Sequence, residues 1–227
     1  GLARLLTSLH NPDGTIEVDG FYGGVDEPTA TERVAANAYP FDAAAFLAQN
    51  GVDPCGGELR FTPMERVGFR PTIEINGIHG GYGGPGCKTI IPASAIAKLT
   101  LRLVAGQDPD RCMELVCRHI ENHVPPGLRL EISEKHIGGP ALRLKIEGAL
   151  VTRARVVLEE LFKRPPILIW EGASVPIMAH LPAMAGAEAL LVGFGTDEDF
   201  IHAPNESFSL EQFYAGYLFT GTLMEHL

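Results

Sequence analysis

The sequence predicts an α/β chain in two regions, a small α+β sandwich up to about residue 140 and an α/β arrangement beyond it. Three observations lead there. Pro71–Asn76 and Ala93–Val104 alternate apolar and polar residues with the period of half-buried strands. Asp108-Pro109 caps and starts a helix that runs to about His123, and Gly127–Ser133 alternates again, completing strand, loop, strand, helix, strand. After His136-Ile-Gly-Gly-Pro140 helical and apolar runs take turns, with a helix at 149–163, a strand at Pro166–Trp170, a loop and short helix, and a strand at Ala189–Phe194.

The remaining elements follow from local signals. Leu2, Leu5, Leu6 and Leu9 form an apolar stripe at helical spacing, closed by the turn Asn11-Pro-Asp-Gly14, and Thr15–Val18 reads as a short strand. Residues 28–50 read as two helices, the second capped by Asp42 and stopped by Gly51. A last helix begins at Ser209 and is expected to turn Phe213, Tyr217, Leu218 and Leu223 inward.

Composition excludes some functions. Of the 227 residues 45% are hydrophobic, enough for a packed core, and the net charge of −10 removes the basic surface that nucleic-acid binding needs. No apolar run approaches a membrane span, and the opening residues lack the basic start and apolar stretch of a signal peptide. The four cysteines form no C-x-x-C pair, so buried reduced thiols and a cytoplasmic setting are expected.

Four segments invite chemistry. His202 follows the strand at 189–194, with Asp197, Glu198 and Asp199 before it and Asn205-Glu206 after it. Loops leaving the carboxyl ends of α/β strands are where such folds place ligands. A neutral imidazole there suits a metal, its carboxylate neighbours orienting or neutralising the site, while a surface histidine in an acidic loop is the plain alternative. Gly80-Gly-Tyr-Gly-Gly-Pro-Gly-Cys-Lys-Thr89 resembles a phosphate loop but has Cys87 where glycine must precede the lysine, and a strand follows where a helix should. It reads as a glycine loop over a site or as a connection. His119-Ile-Glu-Asn-His123 lacks the H-E-x-x-H order and reads as a solvated helix end, and Glu159-Glu160 as a solvated helix edge. No G-x-S-x-G elbow supports a serine hydrolase.

Five segments in order, Pro71-Thr-Ile-Glu-Ile-Asn-Gly-Ile-His79, Gly86-Cys-Lys-Thr-Ile-Ile-Pro92, Arg102-Leu-Val104 with Gln107-Asp-Pro109, Glu171-Gly-Ala-Ser-Val-Pro176 and His202-Ala-Pro-Asn-Glu206, resemble the metal-dependent dipeptidase and aminoacylase family, its dipeptidase branch most. The resemblance implies a ferredoxin-like α+β lid (dimerisation) domain over residues 1–139, with an insertion at about 15–70 that packs on the catalytic domain. Residues 140–227 would be the C-terminal part of an α/β zinc-peptidase catalytic domain. It implies that His202 is a metal ligand, and that Thr89, Arg102, His136 and Ser174 contact substrate, Arg102 by forking onto a carboxylate. Trp170 stands where relatives often have arginine.

The family's histidine-x-aspartate pair, bridging aspartate and glutamate pair do not occur here, so the chain reads as a carboxyl-terminal part with no catalytic residue of its own. The complete enzyme would carry two divalent metal ions, zinc or manganese, act on small peptides with a free carboxylate, and pair through the lid as a homodimer. An N-acyl amino acid deacylase of the same family and a non-catalytic dimerisation or binding fragment are the alternatives.

Overall fold

The computed structural model describes residues 1–172 and 175–226, which form two compact units. The first comprises Gly1–Arg143 with Ile169–Ala179, and the second Leu144–Leu168 with His180–Leu227.

In the first unit the helices are α1 (Leu2–Thr7), α2 (Ala30–Asn37), α3 (Ala43–Asn50), α4 (Pro63–Phe69) and α5 (Pro109–Asn122), and the strands β1 (Thr72–Gly80) and β2 (Ala95–Arg102). Caps account for most of the helix boundaries. Thr29 with Glu32, and Thr62 with Glu65, form capping boxes for α2 and α4. The Asp42 carboxylate accepts from the Ala44 and Ala45 amides, and Gly51 ends α3 in the left-handed region at φ 73°. Asp108 accepts from Arg111 N, with Pro109 in the first turn of α5.

β1 and β2 pair antiparallel from Thr72↔Arg102 to Gly80↔Ala95, with an irregularity between Ile75 and Gly77. Asn76 is the extra residue. In an unbroken ladder Gly77 and His79 would continue the face of Ile73 and Ile75; with Asn76 bulged out Ile78 pairs with Ala97, and the isoleucine stays on the face of Leu99 and Leu101. That face packs Ile73, Leu99 and Leu101 against Leu5, Leu6 and Leu9 of the N-terminal segment and Cys112, Leu115, Val116 and Ile120 of α5.

Several sequence expectations change here. Thr15–Val18 is not a strand but a single bridge, His10↔Ile16, because Ile16 and Val18 are drawn into the core by turns on either side. Gly127–Ser133 forms no ladder; Leu130 and Ile132 alternate because they cover the core cluster, not because a neighbouring strand pairs with them. His119 is not solvated: it is buried and its ring stacks on His123 at 3.9 Å. Cys112 and Cys117 are buried as expected, but Cys55 and Cys87 are exposed, and all four are free thiols.

The insertion between α1 and β1 is tied down by polar contacts. Buried Arg70, just before β1, donates through Nε to Glu58 at 2.7 Å and through Nη1 to Glu27 at 2.6 Å. Its guanidinium lies over the rings of Phe61 and Tyr22 at 4.6 and 5.3 Å. Buried Gln107 accepts from Val104 N and donates to Phe21 O at 2.7 Å. Gly24 and Gly106 touch backbone to backbone beside it: a Cβ on Gly106 would meet the Gly24 carbonyl at 2.0 Å, and both sit at positive φ.

The second unit packs α6 (Ala149–Phe162) on α8 (Leu210–Glu225), with short α7 (Leu181–Ala185) between them in sequence. Ala154 and Val157 meet Phe219 and Leu223, and Leu190, Val192 and Phe194 pack against this cluster. Ala189–Phe194 therefore alternates as predicted, yet it makes no ladder among the described residues, and neither does Pro166–Trp170. Trp170, in the first unit, packs its ring on Phe69 at 5.0 Å. The inward face of α8 is Phe219 and Leu223, while Phe213 and Tyr217 are exposed. The helix is apolar on nearly every side, so periodicity did not single out one face.

Two predictions follow from the first unit. Arg70→Met would leave the buried Glu58 carboxylate with the exposed Arg60 as its one remaining ion-pair partner among the described residues, and lower stability by about 3 kcal/mol in urea unfolding. Ser8 Oγ donates to Leu5 O and lies 3.1 Å from His119 Nε2, so a proton on that nitrogen completes the contact. Burial, and then the neighbouring His123, hold the His119 pKa below 6.5. The unfolded chain therefore binds more protons below that pH, and stability falls as pH drops through about 6.5 and below. His119→Gln, which keeps a donor for Ser8, should flatten this dependence in unfolding curves taken at about pH 7.5 and 5.5.

Candidate functional site

The most structured candidate lies in the second unit, in the chain between the 189–194 segment and α8. A short 3-10 turn, Asp197–Asp199, is capped by Thr196. The Asp199 side chain, only 6% exposed, accepts from Thr196 N at 2.8 Å, Thr196 Oγ1 at 3.3 Å and Gln212 Nε2 at 2.9 Å. The Asp199 carbonyl accepts from Ser207 N at 2.9 Å, which closes the loop at its base. Gln212 serves both sides: its Oε1 caps Ser209 N at 2.7 Å at the start of α8, and its Nε2 also donates to Phe194 O at 3.0 Å.

Above this base the chain makes two successive turns, Ala203 N to Phe200 O and Glu206 N to Ala203 O. Phe200, His202 and Asn205 are all left-handed, at φ 52°, 64° and 65°. A non-glycine residue held there costs about 1 kcal/mol or more, so the arc persists only because the base over-determines it. His202 is exposed at this arc, and its side chain makes no hydrogen bond or ion pair among the described residues.

The sequence had drawn attention to the three acidic residues before His202. The structure separates them: Asp199 is the buried anchor and Glu198 is exposed. The signal for Asp199 was present, since Thr196-x-x-Asp199 and Ser209-x-x-Gln212 both have capping-box spacing.

In the first unit Arg102 ends β2 opposite Thr72, on the exposed face shared with Lys98 and Thr100. Thr89 lies in the exposed connection between β1 and β2. There Lys88 Nζ sits 4.7 Å from the Tyr82 ring centroid, and Tyr82 Oη donates to Pro85 O at 2.9 Å. His136 is exposed in the extended run after α5. Thr89, Arg102 and His136 make no side-chain hydrogen bond or ion pair among the described residues, and no such bond brings them together. Ser174 lies outside the described residues.

No group of three or more His, Cys, Asp or Glu side chains among the described residues could hold a metal ion. Among the described residues, His202 thus stands as a single imidazole outside any such group.

The sequence signature of the peptidase dimerisation domain matches residues 1–128. The chain belongs to this family of M20 peptidase dimerisation domains. It is similar over 95% of its length to the Cys-Gly metallodipeptidase of Schizosaccharomyces pombe, 24% identical over 223 residues that make up 46% of that protein. The human Beta-Ala-His dipeptidase is 25% identical over 220 residues, 95% of this chain and 43% of the relative. The solved structure of an M20 family metallo-carboxypeptidase from Sulfolobus solfataricus superposes with a TM-score of 0.83 at 27% identity, covering 98% of this chain and 51% of that one. The chain thus spans about half the length of the relatives it matches. The family is one of hydrolases, and its metallopeptidase character implies divalent metal ions.

Within this dimerisation-domain chain, exposed and unpartnered Arg102 has no structural duty. Arg102→Ala should leave the unfolding midpoint unchanged within about 0.5 kcal/mol, and a larger loss in thermal unfolding would give the guanidinium a role in the fold.

Proposed function

We propose that this chain is part of a metal-dependent dipeptidase that hydrolyses small peptides bearing a free carboxylate. One observation carries the reading: the similarity to metallodipeptidases runs through both compact units, over 95% of the chain, and is not confined to the lid. The site residues support it. Arg102 is a planar, exposed fork on a rigid strand with no partner of its own, as carboxylate recognition requires. His202 is a free imidazole on an anchored loop, suited to donate to one of two zinc or manganese ions held mainly by residues outside this chain. Thr89, His136 and Ser174 would complete the contacts to substrate.

The lid is read as the contact between two copies. Among the described residues its sheet has two strands, each with an unpaired edge, and edge-to-edge pairing about a two-fold axis would satisfy both. No helix among the described residues is long and apolar enough to cross a membrane, and four free thiols support a reducing, cytoplasmic compartment. The likeness to a metallo-carboxypeptidase supports a second reading, removal of a terminal residue from longer peptides, which uses the same carboxylate contact.

The test is hydrolysis by the full-length enzyme. Metal-dependent cleavage of dipeptides such as Cys-Gly is expected, and cleavage of longer peptides with dipeptides spared would favour the carboxypeptidase reading. Arg102→Lys should lower kcat/KM about tenfold, because the fork is lost while the charge stays. Carboxyl-amidated substrates should lose a similar factor with the native enzyme and little more with the variant. The 227-residue chain alone, with zinc or manganese added, should show no turnover, since it brings a single imidazole to the metals.

A further inference from the structure

We propose that Asp199 is the positioning residue of the His202 loop: its buried carboxylate fixes the backbone arc that presents the imidazole, without touching metal or substrate. As a statement about His202's task it rests on the reading of that histidine as a metal donor; as a statement about the loop it stands on the geometry alone.

The argument begins with the three left-handed residues. Phe200, His202 and Asn205 lie within six positions, and none is a glycine. Such an arc relaxes unless its ends are fixed, because each of these residues has a right-handed or extended alternative of lower energy. Fixing the ends is what Asp199 does. It directly precedes the arc and is the point where three different segments meet: Thr196 on the approach, Ser207 on the exit and Gln212 in the first turn of α8. Both carboxylate oxygens accept from Gln212 Nε2, at 2.9 and 3.3 Å, and one also accepts from the Thr196 amide. The Thr196 amide and Gln212 Nε2 can only donate, and the Thr196 hydroxyl donates here as well, so the site favours an acceptor-only group. An asparagine in its place would set an amide donor against the Gln212 Nε2 donor that bonds both oxygens.

Gln212 fixes the anchor to the unit's core. Its amide also bonds to Phe194 O, and Phe194 packs on Phe219 at 5.7 Å. The imidazole's position is thereby referred to the α6–α8 packing, through a chain of bonds that ends at a backbone carbonyl and a buried ring. His202 itself contributes nothing to this framework. A residue held in a costly conformation, doing no structural work, is the mark of a side chain kept for presentation.

The test uses the full chain and reads the loop directly. In Asp199→Asn, amide exchange over residues 200–206 should accelerate at least tenfold, with exchange in α6 and the later turns of α8 unchanged. Chymotrypsin should cleave faster after exposed Phe200. The His202 ring Cε1–H resonance should move towards its unfolded position while those of the other seven of the eight histidines stay in place. Gln212→Met, which removes the shared donor but keeps the bulk, should give the same pattern in milder form, and it decides the matter if Asp199→Asn does not fold. Protected amides and an unmoved His202 resonance in a folded variant would overturn the proposal.

His202→Ala separates the two readings. It should leave loop exchange as in the native chain, and in the full-length enzyme it should weaken zinc binding by direct titration. Unaltered zinc affinity in His202→Ala, with a loosened loop in Asp199→Asn, would remove the metal reading and leave the anchor standing.

Discussion

The buried Arg70 guanidinium is the contact on which the first unit depends. It lies next to β1 in sequence and gathers Glu27, Glu58, Tyr22 and Phe61, four residues from the long segment that precedes the sheet. The start of this segment buries Ile16, Val18 and Phe21 in the core. Ionic and ring contacts on one cation tie its later, short-helix part to the same frame. A buried cation is stable only with its charge matched and its donors engaged, so the arrangement also excludes alternatives in which any of these segments drifts. The register of β1 against β2 thus begins from a fixed point, and Arg102, opposite Thr72 at that same end of the ladder, is placed with it.

How much of this was legible in the sequence depends on how local the cause was. Asp42 and Gly51, Asp108 with Pro109, and Ser209 each marked a helix end that the structure keeps, because a cap is made by residues three or four apart. Strands were different. The alternation at 127–133 and 189–194 was real, since Leu130, Ile132, Leu190, Val192 and Phe194 all face apolar clusters. Period two reports which side is buried and says nothing about a hydrogen-bonded partner. The ion cluster around Arg70 escaped notice for a related reason: Glu27, Glu58 and Arg70 are up to 43 residues apart and no local pattern joins them.

The candidate site shows the same division. His202 stands out from its place after an apolar run and Arg102 through the resemblance, and both are exposed without side-chain partners among the described residues. His119 was misjudged because a histidine at a helix end is usually wet. Here Ser8, at the end of the N-terminal helix, lies 3.1 Å from the ring. Asp199 was noticed only as one of three acids near a possible ligand, whereas burial and three converging donors distinguish it from exposed Glu198.

The two outward-facing residues are held by opposite means. Arg102 stands on a strand in the ordinary β region, where the backbone is at rest and the ladder bonds would form with any side chain at that position. His202 stands on an arc that the chain would not adopt unaided, stabilised by one carboxylate, one amide side chain and a hydrogen bond across the base. A guanidinium on a long stem tolerates small errors in its base, because the stem can adjust the head. A short imidazole has no such freedom, and under the proposed role as a metal donor its backbone would have to be correct before anything binds. On the proposed roles, the strained loop and the relaxed strand would be two answers to one requirement, with the length of the side chain deciding which is needed.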